Sequence, residues 1–152
     1  MIVLDSNKSD AIRQKYIETF VDTESKYYAE KIEKRIEFSD GLCYIGYLWD
    51  CLKKPNVVSE DELEKVLKDK KCFYIMWDIH SADRILIPDY WKYPKSSILV
   101  TDNWSSEIKS ELPEDIYMFD DTFTWSAVYT HETDAKENPY CIYLSKQVKS
   151  NV

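Results

Sequence analysis

Only two glycines, Gly41 and Gly46, and two histidines, His80 and His131, occur in 152 residues. So little glycine leaves no room for the Gly-rich loops that cradle nucleotide phosphates. No Ser or Cys stands between glycines, which excludes a nucleophile elbow. Tight turns with left-handed backbone must instead be made by Asn and Asp. The four cysteines, Cys43, Cys51, Cys72 and Cys141, form no C-x-x-C pair and sit in apolar surroundings. That is the pattern of reduced, buried thiols, and the closely spaced ligand pairs of a zinc site are missing. No apolar run approaches the roughly eighteen residues of a membrane span. Met1–Asp5 carries no charged region before its short apolar run, so no signal peptide is expected. These absences point to a cytoplasmic protein with no cofactor and no resident metal.

Positive charge is also scarce: 20 Lys and Arg against 28 Asp and Glu give a net charge of −8. A field of that sign repels phosphate backbones and anionic lipid, so neither nucleic acid nor membrane is an expected partner. It favours a basic protein, although an acidic balance is common among soluble proteins.

What is abundant is aromatic: twelve tyrosines, five tryptophans and five phenylalanines. With 44% hydrophobic residues the chain can bury a core, and residues 1–152 are expected to form one domain whose ends, 1–8 and 145–152, fray. Ser9 is placed to cap a helix bearing Ile12, Tyr16, Ile17, Phe20 and Val21, and a second helical segment carries Tyr28, Ala29, Ile32 and Ile36. Residues 42–52 are apolar throughout, which leaves helix or strand open, with Gly46 and the aromatic rings favouring strand. Ser59 and Glu62 form a capping box ahead of Leu63, Val66 and Leu67. Asp102 or Asn103 could cap a helix through Trp104, Ile108 and Leu112.

The organising stretch is Tyr117–Glu132. From Phe123 onward it alternates with period two, placing Phe123, Trp125, Ala127, Tyr129 and His131 on one side, as a half-buried strand requires. Further strands are expected at Cys72–His80, Arg84–Ile87, Ser97–Thr101, Ile116–Phe119 and Tyr140–Leu144. The sum is an α+β domain: N-terminal helices, then a largely antiparallel sheet with two interspersed helices packed on one face.

Three groups could carry chemistry or binding. His131 and Glu132 are the only adjacent histidine and acid, with the imidazole a possible general base; on a regular strand, however, neighbours point to opposite faces. Asp78 and His80 share a strand face, and with His131 and Glu132 they could make a carboxylate–imidazole cluster suited to a metal or to hydrolysis. A polar outer sheet face accounts for the same residues more simply. The loop Tyr90-Trp91-Lys92-Tyr93 resembles an interface anchor, since Trp and Tyr give large contact area at low entropy cost. Asp115, Asp120 and Asp121 could steer a basic partner towards Tyr90, Trp91 and Tyr93.

The segments Gly46-Tyr47-Leu48-Trp49, Cys72-Phe73-Tyr74-Ile75, Asp120–Trp125 and Thr130-His131-Glu132 together resemble a small, uncharacterised bacterial family of unknown function, over most of the chain from Gly41. The chain departs from that pattern at Asp50-Cys51 and at Asn138-Pro139-Tyr140. The resemblance implies a fold and no activity. In size and charge the chain is also similar to immunity proteins, which cover a toxin's basic active site. The expectation is therefore a binding protein for a basic partner, possessing no catalytic residue. The alternative is a metal-assisted or histidine-based enzyme using Asp78, His80, His131 and Glu132.

Overall fold

A computed structural model describes residues 1–146. Among these described residues there are four α-helices, α1 (Ser6–Phe20), α2 (Lys26–Tyr28), α3 (Glu60–Lys68) and α4 (Ser106–Ser110). A seven-stranded sheet is built from β1 (Ile2–Val3), β4 (Asn56–Val58), β5 (Phe73–Trp77), β6 (Leu99–Thr101), β7 (Ile116–Phe119), β8 (Trp125–Thr133) and β9 (Pro139–Ser145). A separate hairpin pairs β2 (Ile36–Phe38) with β3 (Gly41–Cys43). The order across the large sheet is β1-β6-β5-β7-β8-β9-β4, and every pairing is antiparallel. The α+β architecture expected from the sequence is the one observed, and the two interspersed helices, α3 and α4, do share one face.

Both faces of this sheet are covered. On one, Tyr16, Ile17 and Phe20 of α1 meet Met76, Tyr117, Phe119, Val128, Ile142 and Leu144. On the other, Leu63 and Leu67 of α3 meet Phe73, Ile75, Trp77, Met118, Trp125, Ala127 and Tyr129. The half-buried strand expected for β8 is thus buried on both sides over Trp125–Tyr129, because α1 lies over the side that carries Ser126 and Val128. Ser126 is tolerated there because its hydroxyl and that of Tyr16 share a 2.7 Å hydrogen bond. Phe123 departs from the alternation as well. Its backbone is left-handed (φ 52°), which turns its ring into the α1-side core, away from Trp125.

Other local expectations are corrected by tertiary contacts. The cap of α1 is Asp5, whose carboxylate accepts from the Lys8 N–H at 2.8 Å. Ser9 is buried inside the helix and accepts from Ile98 N–H at 3.0 Å. Residues 1–8 are therefore held by β1 and the first turn of α1, and β9 extends through Ser145; the remainder of the expected frayed tail, 147–152, lies outside the described residues.

The second helical segment stops at a π turn over Ala29–Glu33, and Ile36 instead enters β2. The hairpin that captures it turns at Ser39-Asp40, with the Asp40 carboxylate accepting from Ser81 Oγ and Ala82 N–H and pairing with Lys95. Residues 42–52 are divided between β3 and a 3₁₀ turn over Leu48–Cys51. Arg84–Ile87 makes no strand: Ser81 caps a 3₁₀ turn over Ala82–Arg84, and Leu86 beyond it is 92% exposed. The cap of α4 is Ser105, so Trp104 lies outside the helix and stacks on Tyr129 at 5.9 Å. The short strand β4 went unforeseen because Pro55 and two lysines mark its start as a turn.

Candidate functional site

At the far end of β8 the pairing with β9 shifts. Tyr129 faces Cys141 and Thr133 faces Pro139, so β8 spends two extra residues across the interval. Thr130 secures the irregularity: its hydroxyl donates to Tyr140 C=O at 2.7 Å and accepts from Glu132 N–H at 3.2 Å. A bulge of this kind re-aims side chains. Here it swings His131 off the face of Tyr129 and sets it against Tyr47 and Trp49, with ring centroids at 5.1 and 6.1 Å. It also removes the objection that neighbours must point apart, because His131 Nε2 lies 3.4 Å from Glu132 Oε1.

Asp115, the residue before β7, organises the site. Its Oδ1 accepts from His131 N–H and from Trp49 Nε1–H, both at 3.0 Å. Both carboxylate oxygens lie 3.0 Å from His131 Nδ1. The imidazole thus has a carboxylate at each nitrogen. A neutral ring carries one N–H and would turn a lone pair towards the second carboxylate, so the doubly protonated form fits best. Partial burial, the largest single influence, pulls the His131 pKa down. The hydrogen bond that its ring donates to Asp115 and the charges of Asp115, Glu132 and Glu114 outweigh it and leave the pKa raised.

Aromatic rings frame the group. Tyr47 and Trp49 lie 5.3 Å apart, and Tyr140 lies 6.1 Å from Trp49. The Tyr90 hydroxyl accepts from Glu114 N–H at 2.9 Å, next to Asp115, and burial is the main cause that pushes this phenol up to about 12.

Asp78 and His80 support this face from beneath. Asp78 is buried; its Oδ1 accepts from Tyr44 hydroxyl at 2.8 Å and Leu48 N–H at 3.0 Å, and its Oδ2 from Tyr117 hydroxyl at 2.7 Å. Burial raises its pKa against the pull of His80 and these donors. His80 Nε2 meets Gly46 C=O at 2.6 Å, and its ring lies edge-on to Tyr47 at 4.8 Å. The two together pin Tyr44–Trp49, the segment that presents Tyr47 and Trp49. The Tyr47 ring stands between the two imidazoles. Asp78, His80, His131 and Glu132 therefore form no metal cluster, and no group of three potential ligands that could hold a metal ion occurs among the described residues.

The remaining sequence candidates are placed as follows. Trp91 and Tyr93 are half-buried and pack against the α3-side core, and Lys95 Nζ lies 4.5 Å over the Trp91 ring. Tyr90 is the part of that loop that reaches the Asp115 end of β7. Asp120 and Asp121 lie at the opposite end of β7, roughly 16 Å away at the usual rise per residue, in the turn where Asp120 accepts from Thr122 N–H at 3.0 Å. Asp115 is buried, so it acts through His131 and Trp49 and does not form an open charge. Sequence reasoning did not select Tyr47, Trp49, Glu114 or Tyr140; the Gly46–Trp49 motif was visible, but nothing local joined it to His131.

Compared with family profiles, curated proteins and solved structures, the chain matches none. The likeness to the uncharacterised family therefore rests on its motif residues alone. No helix among the described residues is long and apolar enough to cross a membrane.

Proposed function

We propose that the protein acts by binding a basic protein partner, in the manner of an inhibitor or immunity protein, through the face made by Tyr47, Trp49, Tyr140, His131, Glu132 and Glu114. One observation carries this reading: half-exposed aromatic rings and carboxylates converge on one face, and the imidazolium between Asp115 and Glu132 leaves it net negative. Aromatic faces beside carboxylates suit Arg or Lys side chains, each ring contact being worth about 0.5–1 kcal/mol when exposed. The overall charge of −8 adds long-range attraction that speeds association with such a partner.

The test uses an Arg- and Lys-rich peptide array probed with the purified protein at low and at physiological salt. The expected result is salt-sensitive binding that Trp49→Ala and Glu132→Gln each weaken. Binding indifferent to both substitutions overturns the reading.

A second reading has its own support in the Asp115–His131 contact, the arrangement in which a buried carboxylate orients an imidazole for acid–base chemistry. Glu132 at Nε2 opposes it by favouring the protonated ring. Hydrolysis of chromogenic ester or phosphodiester substrates that disappears in His131→Asn would establish it; activity surviving in that variant would dismiss it.

A further inference from the structure

The sheet ends at β4, and the pairing of Asn56–Val58 with Cys141–Tyr143 uses one side of that strand only. In an antiparallel edge strand every second residue directs its N–H and C=O outward, ready to accept another strand. Among the described residues no backbone hydrogen bond beyond the sheet engages Asn56, Val57 or Val58. Val57 is 61% exposed.

At the Val58 end of this strand, between it and the β8–β9 turn, lies a groove of about 550 Å³. Val57, Val58, Pro139 and Tyr140 supply its apolar surface; Glu60, Asp61 and Asp134 supply charge, and no Lys or Arg lines it. The carboxylates differ in what already holds them. Glu60 lies 3.6 Å from Lys109, and Asp134 accepts from Lys136 and Asn138 N–H inside the β8–β9 turn. Those N–H groups keep Asp134 below the usual carboxylate range, so it stays ionised. Asp61 has no side-chain ion pair or hydrogen bond among the described residues. A helix start by itself favours an anion, but Glu60, Asp61 and Glu62 crowd the first turn of α3 and reverse the local sign.

We propose that the open edge of β4 and the groove at its end together seat an extended basic segment of the partner, which pairs with the outer side of β4 and runs on past Val58, setting cationic side chains against Glu60, Asp61 and Asp134. The inference rests on the basic-partner reading above and names the form of the segment recognised. Strand addition provides main-chain affinity, and side-chain contacts provide selectivity. Charge complementarity selects a cationic segment over an acidic one. Tyr140 lines the groove and also lies 6.1 Å from Trp49, so the seat adjoins the aromatic face and one partner can occupy both.

The test is an amide-resolved NMR titration of the whole protein with acetyl-Arg-Val-Arg-Val-Arg-Val-amide, and with the same peptide carrying Glu for Arg. The basic peptide is expected to shift amides in Val57–Asp61 and Asp134–Tyr140. Asp61→Lys is expected to weaken it about tenfold or more, and Asp61→Asn by less. The acidic peptide is expected to shift nothing there. Shifts confined to Tyr47, Trp49 and Glu132, with Asp61→Lys without effect, overturn the groove and leave the basic-partner reading standing. Equal binding of the acidic peptide in the groove overturns the choice of partner. No response at either face overturns both.

Discussion

Asp115 and His131 are joined twice. The carboxylate takes the backbone N–H of His131 at 3.0 Å and lies 3.0 Å from its ring Nδ1, so one acid fixes both the path of the bulged strand and the orientation of the imidazole. Asp115→Asn keeps the shape and removes the charge. The imidazole pKa is expected to fall towards its ordinary value, followed by NMR titration of the ring protons, with about 1–3 kcal/mol of stability lost from strained buried contacts.

The pH dependence follows from the same contact. The folded pKa of His131 is raised, so its contribution to stability is full below the unfolded value of about 6.5 and is lost as pH rises through the folded pKa. The difference in Tm between the wild type and His131→Asn should therefore shrink as pH is raised through that range. Calorimetry at several pH values reads it, and a difference that widens with pH would contradict the assignment.

The legible parts of the sequence were those governed by local physics. The Ser59 cap, the apolar alternation within Cys72–His80, which forms β5 over Phe73–Trp77 only, and the acidic turn at Asp120-Asp121 each state their structure within a few residues. The parts that could not be read depend on distant partners. Period two in β8 declares one apolar face, but only α1 lying across Ser126 and Val128 makes the other face buried. The site divides in the same way. His131-Glu132 was visible as a pair, whereas its encirclement depends on Asp115 sixteen residues earlier and on Tyr47 and Trp49 far upstream. The bulge that turns it there is set by pairing register, which alternation does not reveal.

The Tyr16–Ser126 hydrogen bond ties α1 to the middle of the sheet. Tyr16→Phe and Ser126→Ala should each cost about 1–3 kcal/mol in urea unfolding, because each strands a buried hydroxyl. The double variant should cost less than the sum, and simple additivity would show the two groups to be uncoupled.

Gly46 sits where a Cβ would come within 2.6 Å of Lys31 Cβ and 2.9 Å of Tyr27 Oη. Gly46→Ala should destabilise by about 1–3 kcal/mol, as overpacking does. The displaced segment carries Trp49, so native-state tryptophan fluorescence should change as well.

Leu86 offers the opposite case. At 92% exposure it contacts little, and Leu86→Ser should change stability by no more than about 0.5 kcal/mol by the same measurement.

The strand order carries a consequence for how the molecule is made. Both edges of the sheet, β1 and β4, come from the first 58 residues, while β5 to β9 fill the middle from residue 73 onward. During synthesis both edge strands therefore emerge before the strands they pair with, while α1 has only Ile32, Tyr44, Leu48, Cys51 and Leu52 of its final neighbours beside it. The sheet-facing part of α1 is covered in turn by Met76, then Tyr117 and Phe119, and last by Ser126 and Val128, while β1 waits for β6 and β4 waits for β9. Assembly of the sheet must run from the late strands outward, so a ribosome stalled before residue 125 would hold a chain whose β4 edge has no strand to pair with.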